Sequence, residues 1–267
     1  MPTYGVLLAT ALIAALIAVV RLGRREGLDS GRLLDLSTWL AVVGLLGAKA
    51  LMVVTDWEFY WEHPGELFAW ETLRAGGVFY GGFLAAAFLA VWYVRAHALP
   101  LWKVFDVYAP ALALGLGIGR LGCFSAGCDY GQPTTSFLGV VFTDPFSREV
   151  TGVPLGIPLH PTQLYESLAC FLIFGVLLWR YRRKTRDGEI FALYLGLYAV
   201  ARFFIEFLRG DEDRGFVFNH LLSTSQLFAV GAMVLAAILV ISLRGRARTA
   251  PQAAAAASAS APKRARS

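Results

Sequence analysis

Two arginines, Arg120 and Arg202, lie in otherwise apolar stretches of this sequence. A guanidinium at the edge of hydrocarbon is expensive, so one that persists there has an anionic partner or a water-filled cavity. Arg120 ends a glycine-rich run and leads into a cysteine-bearing segment that reads as non-helical, GIGRLGCFSAGCDYG (117–131). The expected anion is a lipid phosphate, whose oxygens suit a planar fork of donors. Tyr198, Arg202 and Glu206 recur at i, i+4 and i+8 and form one polar stripe on a helix face. Arg202 and Glu206 fit either a structural ion pair or part of a site. His160, Gln163, Tyr165 and Glu166 crowd the start of one apolar stretch, and Gln226 stands at the start of the last.

Other polar or small residues have blander readings beside the functional ones. Lys49 fits a snorkelling or structural lysine, and Tyr80 an interfacial aromatic or a site residue. Gly76, Gly77, Gly81 and Gly82 fit close helix or backbone approach, and Gln226 an interhelical hydrogen bond or a ligand contact. Cys123 and Cys128 fit either a structural disulfide or a functional pair. Cys170, in an apolar run, behaves as a small hydrophobe.

The elements that must position these groups are membrane helices. The chain has 267 residues, 57% hydrophobic and 16% charged, too apolar for an ordinary soluble domain. Seven apolar stretches, at 3–20, 36–54, 76–94, 104–120, 162–179, 189–208 and 220–242, approach the ~20 residues that cross the hydrocarbon. Lys and Arg collect on alternate flanks: Arg21, Arg24, Arg25 and Arg32, then Arg95 and Lys103, then Arg180 to Arg186, then the C-terminal tail. The other flanks hold only Arg74, Arg148, Arg209 and Arg214, and the second loop is acidic. The N-terminus is therefore expected outside and the C-terminus in the cytoplasm. The first stretch lacks a preceding basic region and is expected to remain as an anchor.

The net charge of +5 follows this membrane pattern, which argues against a nucleic-acid partner. The expected organisation is an all-α seven-helix domain over 1–248 and a disordered Ala/Ser-rich basic tail over 249–267. The loop 123–160 is long, with a strand-like patch at FLGVVF (137–142). With this topology Lys49, Tyr80, Arg120, His160, Gln163, Glu166, Tyr198, Arg202, Glu206 and Gln226 fall at one level in the outer half of the bilayer. Asp106, near the inner end of the fourth stretch, is the exception.

Four motifs, GGVFYGG (76–82), GRLGCFSAGCDYG (119–131), HPTQLYE (160–166) and YAVARFFIEFLRGDED (198–213), followed by STSQ (223–226), occur in that order. In them the chain resembles the bacterial prolipoprotein diacylglyceryl transferases over nearly its full length. The resemblance implies a multi-pass inner-membrane enzyme, its site toward the outer leaflet. It would take the diacylglyceryl group from phosphatidylglycerol to the lipobox cysteine of prolipoproteins and release glycerol 1-phosphate, with membrane lipids as its surroundings and no cofactor or metal.

By the same resemblance Tyr80, Arg120, Arg202 and Glu206 would be catalytic. Arg120, Gly131, Tyr198, His160, Gln163, Glu166 and Gln226 would bind substrate. Tyr80 stands where the family has histidine, and a phenol with a reference pKa of ~10 is a weaker base at neutral pH. Tyr80 is then expected to orient the headgroup, while Arg120 and Arg202 favour the thiolate form of the incoming cysteine. Cys123 replaces the usual asparagine and Cys128 an acidic or polar residue, a pair expected to form a disulfide over the headgroup. Competing readings are a membrane thiol-disulfide oxidoreductase built on Cys123 and Cys128, which lacks a CxxC, and an anionic-solute transporter, which lacks a polar trail to the cytoplasm. A member of the fold without the activity is a third.

Overall fold

The computed structural model describes residues 2–69, 72, 77–211, 215–217 and 222–259. It is all-α, as expected, and seven of its helices are long and apolar enough to span a membrane. The chain divides into two compact units, residues 16–104 and residues 1–15 with 105–267. Gly76, Arg74 and Glu71 of the second loop, with Glu212, Asp213 and Arg214, lie outside the described residues.

The first helix, α1 (Pro2–Arg25), runs through both units. In the unit of residues 16–104, α2 (Ser30–Thr55) starts at Asp29, whose carboxylate accepts from the amides of Gly31 at 2.6 Å and Arg32 at 3.2 Å. This side-chain cap satisfies helix amides that have no intrahelical partner. A short α3 (Trp57–Glu62) and a 3-10 turn (Pro64–Phe68) follow. Then α4 (Phe79–Ala96) packs against α2 through small residues. A Cβ on Gly82 would come within 2.6 Å of the Gly44 carbonyl, and one on Gly47 within 2.7 Å of the Gly81 carbonyl. Gly77, at φ +76, abuts the Ala48 backbone, and the Val78 amide donates to the Ala48 carbonyl at 3.0 Å. Gly77, Gly81 and Gly82 thus serve close helix approach, which in lipid takes the place of a hydrophobic drive.

In the other unit, α5 (Leu101–Ala126), whose first residues belong to the unit just described, packs with α7 (Thr162–Tyr181) and α8 (Glu189–Ile205). Their shared core is Ala109, Ala113, Ile173, Leu177 and Ile190. Between α5 and α7 lie α6 (Pro145–Thr151) and an antiparallel pair, β1 (Val140–Val141) with β2 (Pro158–Leu159). A second pair, β3 (Phe216–Val217) with β4 (Leu222–Ser223), leads into α9 (Thr224–Ala259). Leu168 and Leu172 of α7 and Ile238 and Ile241 of α9 point outward, an apolar surface suited to lipid.

Two sequence expectations need amending. The segment at Cys123 is helical: α5 runs on past Arg120 to Ala126 and stops at Gly127, whose amide bonds to the Cys123 carbonyl at 2.9 Å with φ +82, a left-handed stop. The strand patch at 137–142 shrinks to two residues. The last helix, α9, is drawn through Ala259, and its apolar span ends at Leu243. Residues 260–267 lie outside the described ones.

Asp106, the polar residue out of level, has a structural explanation. It is fully buried on α5 and accepts from the amides of Gly188 at 2.8 Å and Phe191 at 2.9 Å. A carboxylate from one helix thus caps the N-terminus of another, where the helix dipole favours negative charge. Lys184, 3.4 Å away, balances that charge.

Candidate functional site

Chain reversal brings the C-terminal end of α5, the start of α7, the C-terminal end of α8 and the start of α9 to one end of this unit. Arg120 is fixed there on two sides. Its Nε lies 3.0 Å from Oε2 of Glu166 and its Nη1 2.7 Å from Oδ2 of Asp129. Glu166 is buried near the start of α7, and its Oε1 accepts from the Tyr198 phenol of α8 at 2.8 Å. Three helices are therefore linked through one carboxylate. Nη2 of Arg120 has no hydrogen-bond partner among the described residues.

Asp129 lies two residues beyond the glycine stop, in left-handed backbone at φ +57, a conformation that Asp tolerates better than most residues. Its second oxygen, Oδ1, lies 2.6 Å from Nη2 of Arg209, which in turn is clasped by Asp211 through Nε at 2.8 Å and through Nη2. The Asp129 carbonyl accepts from the Thr162 hydroxyl at 2.7 Å, and that of Cys128 from Gln163 Nε2 at 2.6 Å. Burial would raise the pKa of Asp129, but the charges of Arg120 and Arg209 outweigh it and hold the carboxyl below its ordinary range. Burial opposes the charge on Arg209, yet the bond to Asp211 and the Asp129 charge push its pKa up. Sequence reasoning passed over Asp129 entirely and counted Arg209 only as a flank charge. The one signal for Arg209 was its place in FLRGDED.

Gly131 is where three chain segments meet. Its amide donates to the His160 carbonyl at 3.0 Å, it bridges to Arg209, and the Gly210 amide donates to the neighbouring Tyr130 carbonyl at 3.0 Å. A Cβ on Gly131 would lie 2.6 Å from Cβ of His160 and 2.8 Å from the Leu208 carbonyl. No side chain fits there, so the position acts by letting backbones close around Asp129. The His160 amide donates to the Gln132 carbonyl at 3.0 Å, and its ring Nδ1 faces the Tyr165 hydroxyl at 3.3 Å.

Arg202 and Glu206 form the pair their spacing suggested, Nη1 to Oε2 at 2.8 Å, with Glu206 buried at the start of the terminal 3-10 turn, Glu206–Leu208. The other arm of Arg202 donates to Ser225 of α9 at 3.1 Å. Gln226 and Ser223 make a reciprocal cap at the start of α9: Oε1 of Gln226 accepts from the Ser223 amide at 3.0 Å, and Ser223 Oγ from the Gln226 amide at 3.1 Å. This S-x-x-Q capping box explains the STSQ motif structurally. Its effect on the site is to seat Ser225 against Arg202.

The structure thus brings together Arg120, Gly131, His160, Gln163, Glu166, Tyr198, Arg202, Glu206 and Gln226. Tyr80 and Lys49 belong to the other unit, where Lys49 Nζ donates to the Thr72 carbonyl and the Tyr80 ring meets Phe79 edge-on. Cys123 and Cys128 are free thiols in place of the expected disulfide. With Asp129 they form a cluster whose ligand atoms lie within 4.8 Å of one another, but two guanidiniums already hold the Asp129 carboxylate, which disfavours a cation. The hydrogen bond with Cys123, then burial, push the Cys128 thiol up, so it stays protonated at neutral pH. The arrangement as a whole suits an oxyanion. Two arginines are each braced by a buried carboxylate and remain partly accessible, at 15% and 12% of their side-chain surface.

Comparison with known proteins agrees with the motifs. The family profile of prolipoprotein diacylglyceryl transferase matches residues 1–242. A Clostridium tetani protein named phosphatidylglycerol–prolipoprotein diacylglyceryl transferase is 35% identical over 87% of this chain and 89% of its own length. A Clostridium perfringens protein of the same name, numbered 2, is 32% identical over 92% and 93%. One from Symbiobacterium thermophilum is 34% identical over 89% and 86%.

Proposed function

Because the chain belongs to the prolipoprotein diacylglyceryl transferase family, we propose that it moves the diacylglyceryl group of phosphatidylglycerol onto the lipobox cysteine of a prolipoprotein. The observation that carries the site assignment is Arg120, fixed by Glu166 and Tyr198 at the same end of the unit as Arg202. In the reaction the cysteine sulfur attacks the glyceryl carbon that bears the phosphate. An S–C thioether bond forms, the C–O bond to phosphate breaks, glycerol 1-phosphate leaves and the thiol proton passes to water. Negative charge moves from sulfur to the departing phosphate.

Arg120 holds the phosphodiester, and Arg202 stabilises the charge that grows on it. Groups already oriented toward that charge need no reorganisation in the transition state. Glu206 and Ser225 fix the Arg202 fork, while Glu166 and Tyr198 fix that of Arg120. Gln163 and His160, with Gly131 between them and Arg209, shape the loop beside the headgroup, and Gln226 supports Arg202 through Ser225. At close range the guanidiniums of Arg120 and Arg202 also favour the attacking thiolate. The role of Tyr80 rests on the resemblance alone: it orients the headgroup, and full transfer by Tyr80→Phe would end that reading.

The distribution of Lys and Arg supports an outward N-terminus, a cytoplasmic C-terminus, and a site toward the outer leaflet of the bacterial inner membrane. A cysteine introduced at Gln132 and labelled by an impermeant reagent only from the cytoplasmic side would overturn that placement. The activity itself is tested by transfer of labelled diacylglyceryl from phosphatidylglycerol to a lipobox peptide. A thioether product that depends on Arg120 supports it, and no product from folded protein refutes it.

A further inference from the structure

Arg120 as it stands does not offer a parallel pair of N–H groups to a phosphodiester: Nη2 is open, but the nitrogens on either side of it face carboxylates. A guanidinium holds an oxyanion well when two of its N–H groups point at it in parallel, but Nε of Arg120 is buried, 3.0 Å from Glu166, and Nη1 donates to Asp129 at 2.7 Å. Charge points the same way. Around Arg120 the linked network has three carboxylates, Glu166, Asp129 and Asp211, against two guanidiniums, Arg120 and Arg209, and the Arg202–Glu206 pair adds nothing net. Among the described residues, such a cluster has no positive charge left over for an arriving anion. One carboxylate must yield.

We propose that Asp129 is the exchangeable counter-ion of Arg120: it neutralises the guanidinium in the empty site, gives way to the phosphodiester, and is kept in place by Arg209 while it does so. This rests on the function proposed above. Glu166 cannot be the one that yields, because its side chain is only 4% exposed and its other oxygen is taken by Tyr198. The Asp129 side chain is 29% exposed and sits on a loop. Its two oxygens already serve different arginines, Oδ2 on Arg120 and Oδ1 on Arg209. Rotation of the carboxylate can therefore free Arg120 without stranding a charge. The backbone need not move, since the Asp129 carbonyl stays bonded to Thr162. Asp211, bonded to Arg209 through two nitrogens, keeps that second arginine aimed. Asp129 is on this account a positioning residue that tunes lipid affinity.

The experiment measures the KM for phosphatidylglycerol and the kcat of transfer to a lipobox peptide, with inhibition by sn-glycerol 1-phosphate as a second readout. Variants are Asp129→Asn, Asp129→Glu, Arg209→Gln and the double variant Asp129→Asn/Arg209→Gln. Removing the competing charge in Asp129→Asn lowers KM and tightens inhibition by up to about 5-fold, the scale of one partly exposed ion pair. Asp129→Glu, which keeps the charge, does not lower KM. Arg209→Gln leaves Asp129 to Arg120 alone and raises KM, and the double variant returns to the behaviour of Asp129→Asn. A fixed structural clamp gives a different pattern: both single variants raise KM, or kcat falls with KM unchanged, and either result overturns the proposal. Should Asp129→Asn fail to fold, an unchanged or lowered KM in Arg209→Gln overturns it alone. Wild-type protein without transfer activity removes the functional reading itself, a result distinct from any pattern among the variants.

Discussion

Tyr198 donates its phenol to Oε1 of Glu166 at 2.8 Å, and the other oxygen of that carboxylate lies on Arg120. The chain Tyr198–Glu166–Arg120 makes a phenol on α8 responsible for the aim of a guanidinium on α5. Replacing Tyr198 by Phe keeps the ring but leaves a buried carboxylate oxygen without its donor, which costs about 1–3 kcal/mol. Transfer by Tyr198→Phe should fall about 10-fold, the equivalent of ~1.4 kcal/mol in the barrier. Steady-state kinetics on folded variant check this, and an unchanged rate would mean that Glu166 is held without Tyr198.

Gly131 acts through the absence of a side chain. In Gly131→Ala the added methyl meets His160 and the Leu208 carbonyl, so two backbone segments must part, at a cost of about 1–3 kcal/mol. Because those segments carry Arg209 and frame Asp129, activity should drop together with melting temperature. Gly175→Ala on α7, where nothing lies within 4 Å of the new Cβ, is the control and should melt as wild type does.

Much of the scaffold could be read directly from hydropathy. All seven spans were visible because lipid demands long apolar runs, and their ends moved by a few residues because Arg24, Arg25 and Tyr181 continue helices past the apolar blocks. The i, i+4 spacing of Arg202 and Glu206 also led directly to a contact. Asp129 and Arg209 were harder to find, being 80 positions apart and both outside the apolar runs. Loop charges ordinarily face water, and only the tertiary fold turns these two toward each other. Cys123 was misread because glycines in 115–122 suggested a broken helix. In the structure Gly115, Gly117 and Gly122 serve close packing, as where Gly122 lies under the Tyr4 ring, and the helix stops only at Gly127.

The two cysteines near Arg120 separate the transferase from a thiol-disulfide enzyme. Both are free, and Sγ of Cys123 lies 3.9 Å from Nη1 of Arg120 without being its main partner. Cys123→Ser/Cys128→Ser should keep most of its transfer activity. Abolished transfer in a variant that melts normally would revive the oxidoreductase reading.

The most direct measurement follows labelled diacylglyceryl from phosphatidylglycerol to a lipobox peptide with wild type, Arg120→Ala and Arg202→Ala, each first checked for folding. The account predicts a thioether product with wild type and a loss of about 100-fold or more in each variant, the scale of removing a preorganised donor to a developing oxyanion. Wild-type rates in both arginine variants, or no product from folded wild type, would contradict it.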